Sequence, residues 1–165
     1  MNASTRPDAE ALAAQADAAR GWLASIAESS YDAIVGKDLN GIVTSWNQAA
    51  ELMFGYATEE IVGRPITIII PEDRLGEEAE ILERVRRGER LVHFESLRMR
   101  KDGTAIPVSL TISPIRDSQG RIVGVSKIAR DLSEIQRAHR EVQHREALLR
   151  SILDTVPDAL IVINA

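Results

Sequence analysis

Three histidines, His93, His139 and His144, are the only imidazoles in this chain, and it contains no cysteine. Imidazole is the commonest general base and metal ligand near neutral pH, so these positions bound the covalent chemistry available. His139 and His144 stand five residues apart, not the four that would bring two metal ligands onto one helix face. His93 opens a strand, where a polar residue is ordinary. The missing thiol removes disulfides, thiolate zinc sites, iron–sulfur clusters, cysteine nucleophiles and thiol photochemistry together. No glycine-rich phosphate loop of either usual form occurs. No catalytic residue and no metal ligand is expected.

The composition agrees. At 165 residues there is room for one domain of ordinary size with extensions, or for two very small ones. Apolar residues make up 44% and charged residues 27%, a balance that folds. A net charge of −5 builds no basic face for nucleic acid. The longest wholly apolar run, Ala159 to Ile163, is far short of a membrane span, and the N-terminus lacks a signal-peptide core. The expectation is a cytoplasmic protein with neither a nucleic-acid nor a membrane partner.

The chain divides into four stretches: an N-terminal amphipathic helix within 1–29, a folded domain over 30–132, a linker helix over 133–156, and an opening strand over 157–165. In the domain, Ala33–Lys37 and Ile42–Trp46 flank Asp38-Leu39-Asn40-Gly41, a hairpin signal. Asn47 is placed to cap a short helix that Gly55 stops, and Thr58 to cap another with Glu59 and Glu60 behind it. Ile66–Ile70 is a short apolar piece. Glu72–Arg87 carries Leu75, Ala79, Leu82 and Val85 at helical spacing. Leu91–Arg100 and Thr104–Pro114 enclose the Asp102-Gly103 turn, and Arg121–Arg130 is a final strand. The predicted order is β-β-α-α-α-β-β-β, an α+β domain with its helices on one face of a sheet.

In that order, Asp38-Leu39-Asn40-Gly41-Ile42-Val43, Trp46-Asn47-Gln48-Ala49-Ala50-Glu51, Phe54-Gly55-Tyr56 and Glu60-Ile61-Val62-Gly63-Arg64-Pro65 resemble a PAS sensory domain. Pro71-Glu72-Asp73-Arg74, Arg100-Lys101-Asp102-Gly103-Thr104 and Asp131-Leu132-Ser133 continue the series, over residues 30–133. The resemblance implies a five-stranded antiparallel sheet with a small internal pocket, commonly dimeric, regulating an attached output domain. Leu23–Asp38 also lies over Leu149–Asn164 at an offset of 126, so the last residues look like the start of a second PAS domain. Leu149–Ala159 resembles the beginning of the haem-bearing PAS domain of FixL-type oxygen-sensing histidine kinases. On that resemblance the chain is the upstream PAS region of such a kinase.

Haem needs an axial ligand, and haem-binding relatives place a histidine on the helix after the Pro-Glu motif. Here Pro71–Leu91 contains no His, Met, Tyr or Cys, and the nearest equivalents are Glu77 and Glu78. No cofactor is expected in this domain, and haem only in the truncated domain that follows. Flavin adduct chemistry is excluded because Gly63-Arg64 is followed by Pro65-Ile66 rather than by a cysteine. The candidate interior is aliphatic and includes Ile34, Val43, Leu52, Ile61, Leu97, Val108 and Val125. The pocket lining expected is Trp46, Met53, Ile69, Leu82, Phe94, Leu110, Ile112 and Ile128.

Outside the domain, Ile135, Val142, Leu149 and Val156 recur at sevens, with Ala138, Arg145 and Ile152 between them, a heptad seam weakened by Arg145. Leu12, Ala19 and Ile26 also fall at sevens, with Trp22 between. Ser133 with Gln136 has the form of a capping box, so the second helix should start where the last strand ends at Asp131. His139-Arg140-Glu141 and His144-Arg145-Glu146 do not match a kinase phospho-acceptor site. The expected partners are a second copy, through these helices, and downstream PAS and kinase domains of the same chain. The function expected is a sensory and dimerisation module of a multi-PAS histidine kinase. A module of a cyclic-dinucleotide cyclase or phosphodiesterase and a small-metabolite chemosensor are the alternatives.

Overall fold

A computed structural model of the chain describes residues 7–155, with the side chains of residues 11 and 13–152. The side chain of Leu12, Val156 and the expected strand over 157–165 lie outside the described residues. Two compact units meet in sequence after Asp131. The first contains helix α1 (Pro7–Glu28), strands β1 (Ala33–Asp38) and β2 (Val43–Trp46), helices α2 (Gln48–Phe54) and α3 (Thr58–Ile61), and helix α4 (Leu75–Arg86). Strands β3 (Leu91–Met99), β4 (Ala105–Arg116) and β5 (Ile122–Asp131) complete it. The second unit is built on helix α5 (Ser133–Thr155). The apolar piece at Ile66–Ile69 is a 3-10 turn, and another at Glu72–Arg74 precedes α4.

The five strands form one antiparallel sheet in the order β2-β1-β5-β4-β3, so the N-terminal hairpin pairs with the last strand at its centre. Strand β4 alternates as its sequence requires: Ile106, Val108, Leu110 and Ile112 face the core. Ile61, Ile66, Ile69, Ile81 and Val85 from the helical insert bury themselves against that face, together with Ala50 and Phe54.

Aspartates hold the hairpin loops. Asp38 Oδ1 accepts the backbone N–H groups of Asn40 (2.9 Å) and Ile42 (2.8 Å), and Gly41 takes φ +84°. Asn40 does not share that positive φ, so the loop is built on the Asp38 carboxylate rather than on a two-residue Asn-Gly turn. Asp117 does the same for the β4–β5 loop, accepting from the backbone of Gln119 and Arg121. The bonds from Ile42 and its neighbours hold the Asp38 carboxyl below the usual range.

Asn47 caps α2 as its position predicts, but it reaches further. Its Oδ1 accepts from Ala50 N–H (3.0 Å) and from Ile34 N–H (2.8 Å), while Nδ2 donates to Ala27 O (2.8 Å) and Asp32 O (3.2 Å). One buried side chain therefore joins the C-terminal turn of α1, the start of β1 and the start of α2. Thr58 is not the cap expected of it: Ala57 occupies that position, with its N–H donating to Glu60 Oε2 at 3.0 Å. The Thr58 hydroxyl instead donates to Glu51 at 2.7 Å.

Asn47→Ala leaves two amides and two carbonyls without their partner, and should lower unfolding free energy by about 2–3 kcal/mol in urea titration. Asn47→Asp keeps both acceptances and should retain part of that loss.

Candidate functional site

The sheet face that the sequence predicts to be aliphatic carries charge at its centre. In β1 the inward residues are Ala33, Val35 and Lys37; in β5 they are Val125, Lys127 and Ala129. Lys37 pairs with Val125 and Val35 with Lys127, which makes the two lysines diagonal neighbours on one face. Strand β3 adds Ser96 and Arg98. Lys37 is 1% exposed, Arg98 2% and Lys127 5%.

Helix α4 supplies the counter-charges from two consecutive residues. Glu78 Oε1 pairs with Lys37 Nζ, and its Oε2 accepts from Lys127 Nζ at 2.7 Å. Glu77 turns to β3, where Oε2 accepts from the Ser96 hydroxyl (2.5 Å) and pairs with Arg98 Nη1 (3.1 Å). Arg74 completes the group with a 2.9 Å contact to Glu77 Oε1. Burial pushes the Glu77 carboxyl up, but hydrogen bonds from Ser96, Arg98 and Arg74 outweigh it and hold it below the usual range.

Burial and then the charge of Lys127 push Lys37 down to about 6. Burial and then the charge of Arg98 push Lys127 down to about 7. In the unfolded chain both would keep their protons up to about 10.5. Beside the charges a residual interior space of about 10 Å³ is lined by Val35, Phe54, Ile66, Ile69, Arg98, Leu110, Lys127 and Ala129.

The predicted lining is therefore only partly assembled there. Ile69 and Leu110 line the space. Ile112 is fully buried in the same core, and Leu82 and Phe94 are packed on its margin. Trp46 instead packs on Phe54, ring centroids 5.3 Å apart, and donates from Nε1 to Tyr56 O. Met53 lies at the surface groove that also contains Tyr31, Leu52, Arg100 and Asp131. Ile128 is a correction: at 38% exposed it points away from the core, because Val125, Lys127 and Ala129 hold the inward parity. Leu52, expected inside, is 82% exposed, and Ile34 is half-buried in a groove with Ala24 and Ala27 of α1. Lys37, Lys127 and Arg98 escaped the sequence reading, although period-two counting from their apolar neighbours would have placed them inward.

At the rim, Arg100 reaches two element ends. Its Nε donates to Met53 O at 2.9 Å, and its Nη2 donates to Asp131 Oδ2 at 3.3 Å. The Lys101 N–H donates to Phe54 O at 2.9 Å. The Arg100-Lys101 dipeptide thus fixes the C-terminal end of α2, and Arg100 also holds the last residue of β5. Ser133, the other expected junction residue, opens α5.

Two expectations follow from the charged face. Glu78→Ala leaves two buried lysines without their shared carboxylate and should cost about 3–5 kcal/mol in urea unfolding. Replacing Lys37, Glu78 and Lys127 together by Met should recover that loss. Between pH 6 and pH 10 the unfolded chain binds more protons at Lys37 and Lys127 than the folded chain. Stability should therefore rise with pH through this window, by about 1.4 kcal/mol per pH unit for each lysine at most. Below pH 6 both states are protonated and the full burial penalty remains. A thermal-melt series from pH 6 to 9.5 checks this, and Lys37→Met should flatten the slope.

Comparison with known proteins places this geometry. A family model described as "PAS fold" matches residues 23–132, two thirds of the chain. The chain is 31% identical over 122 residues to the signal transduction histidine-protein kinase AtoS of Escherichia coli, covering 74% of this chain and 19% of that one. It is 27% identical over 135 residues to sensor protein FixL of Bradyrhizobium diazoefficiens, covering 77% and 26% respectively. The crystal structure of a PAS domain from Colwellia psychrerythraea matches with a TM-score of 0.63 at 27% identity, over 69% of this chain and 97% of that one. The chain spans less than a third of the length of the curated relatives it matches. The β2-β1-β5-β4-β3 sheet, the helical insert between β2 and β3, and the family match agree: the chain belongs to the PAS family.

Proposed function

We propose that this chain is a sensory and dimerisation PAS module of a cytoplasmic multi-PAS histidine kinase, passing its signal along helices to downstream PAS and kinase domains. The observation that carries this reading is the state of α5. Its apolar residues at heptad positions, Ile135, Val142, Leu149 and Ile152, are all exposed in the single chain, over a helix of 23 residues. Exposed apolar residues at that spacing are what a second helix covers in a coiled coil. Helix α1 repeats the pattern with Ala19, Trp22 and Ile26 exposed on its surface. A homodimer that pairs these helices buries both seams and gives the domain a route to its output. Sensor kinases among the relatives supply the context.

The reading assigns no cofactor to this domain and reserves haem for the PAS domain that would follow. A space of about 10 Å³ lined by aliphatic side chains, Phe54 and two cations supports that assignment, since a porphyrin needs hundreds of cubic ångströms. Among the described residues no helix is long and apolar enough to cross a bilayer.

Sedimentation at tens of micromolar should give a dimer. The double variant Ile135→Asp with Leu149→Asp should give a monomer whose melting profile is unchanged for the sheet domain. A monomeric wild type, or association unaltered by both substitutions, would overturn the reading.

A further inference from the structure

The charged interior is unevenly balanced. Lys37, Lys127 and Arg98 are three cations at least nine-tenths buried, and Glu78 is the one carboxylate among the described residues buried to the same degree. Adding the two partly exposed neighbours changes nothing, since Arg74 cancels Glu77. Fully protonated, the cluster carries a surplus of two positive charges, which Asp38 beside Lys37 reduces to one, in a low-dielectric setting where an uncompensated charge is costly.

A second observation locates where compensation is missing. Arg98 Nη2 is buried and has no hydrogen-bond partner, although Nη1 of the same guanidinium is satisfied by Ser96, Leu97 and Glu77. Arg98 and Lys127 both line the residual space of about 10 Å³, and the other lining side chains are apolar. Arg98 at that space is a donor only, and so is Lys127 while it is protonated. In that state neither side chain offers a water an acceptor, whereas an anion would use both donors. The volume matches a single water-sized sphere and excludes polyatomic organic acids.

We propose that the space beside Arg98 and Lys127 is a binding site for one small inorganic monoanion of halide size. The anion supplies the acceptor that Arg98 Nη2 lacks and reduces the charge surplus of the cluster. Because it neutralises the same surplus that proton loss from the lysines neutralises, the two processes compete. Anion binding draws protons onto Lys37 and Lys127, and rising pH expels the anion. The groups that face the lysines are Glu78 and Glu77 from α4, Arg98 from β3, Asp38 beside Lys37, and Arg74 next to Glu77. Arg98 stays charged throughout the range concerned, and Asp38 and Glu77 are held below the usual carboxylate range, so the lysines set the pH response. The site makes the domain responsive to halide and pH together, independently of whether it dimerises.

Thermal melts of the whole chain in sodium bromide against sodium gluconate at equal ionic strength test the proposal, because gluconate is too large for the space. At pH 6.5 bromide should raise Tm with a saturating dependence, and chloride should do the same. At pH 9 the midpoint of that dependence should move to about tenfold higher concentration or beyond, as both lysines lose their protons. Lys127→Met removes a buried charge without leaving a hole and should abolish the saturating response. A crystal soaked in bromide should show one anomalous peak within contact distance of Arg98 and Lys127. A bromide effect that is linear in concentration is a bulk solvent effect and overturns the proposal. So does a Lys127→Met protein with an unchanged response, or density at the site without anomalous signal. Each of these outcomes is separate from the sedimentation result, so failure of the site and failure of the dimer are told apart.

Discussion

Two adjacent carboxylates fix helix α4 to the sheet, and much of the interior is arranged around them. Successive helical residues diverge by about 100°, so Glu77 and Glu78 cannot serve the same strand. Glu78 goes to the lysines of β1 and β5, and Glu77 to Ser96 and Arg98 of β3. The helix is thereby held to the centre of the sheet and to one of its edges at once. Sliding it by a single residue would break both sets of contacts and leave buried charges unpaired, a far larger loss than a shift in an apolar groove. The apolar residues Ile81 and Val85 provide burial, and the carboxylates provide register.

The same division holds at the rim. Asn47 joins the end of α1 to β1 and α2 through four hydrogen bonds, and Arg100 joins the end of α2 to the end of β5. Hydrogen bonds are directional, so displacing any one of these element ends loses defined contacts rather than being absorbed smoothly. A domain whose interior and whose terminal elements are both held by polar contacts has means to pass a change in the first to the second.

Much of the architecture was legible in the residues. Turn signals at Asp38–Gly41 and Asp102–Gly103 are local, set by an aspartate carboxylate and a glycine, and they appear where the chain turns. The cap at Asn47 and the stop at Gly55 are local too, as is the alternation of β4. The interior is less legible because apolar type alone places a residue inward, and in β5 type and parity disagree. Ile128 is apolar yet half a period out of step with Val125 and Ala129, while Lys127 is in step. A lysine inside is unfavourable on its own and becomes tolerable only beside a carboxylate 49 residues away.

That contrast separates what each level determined. Composition, capping and turn chemistry, heptad spacing and the absence of cysteine act over a few residues or by simple exclusion. The sequence alone therefore decided the order of elements and the PAS fold. Which charges meet was decided by the tertiary structure alone, since Lys37, Glu78, Arg98 and Lys127 come together only when β5 inserts between β1 and β4 and α4 lies across the sheet. Their burial then sets the proton affinities, because desolvation depends on everything packed around a group and on nothing adjacent to it in the chain.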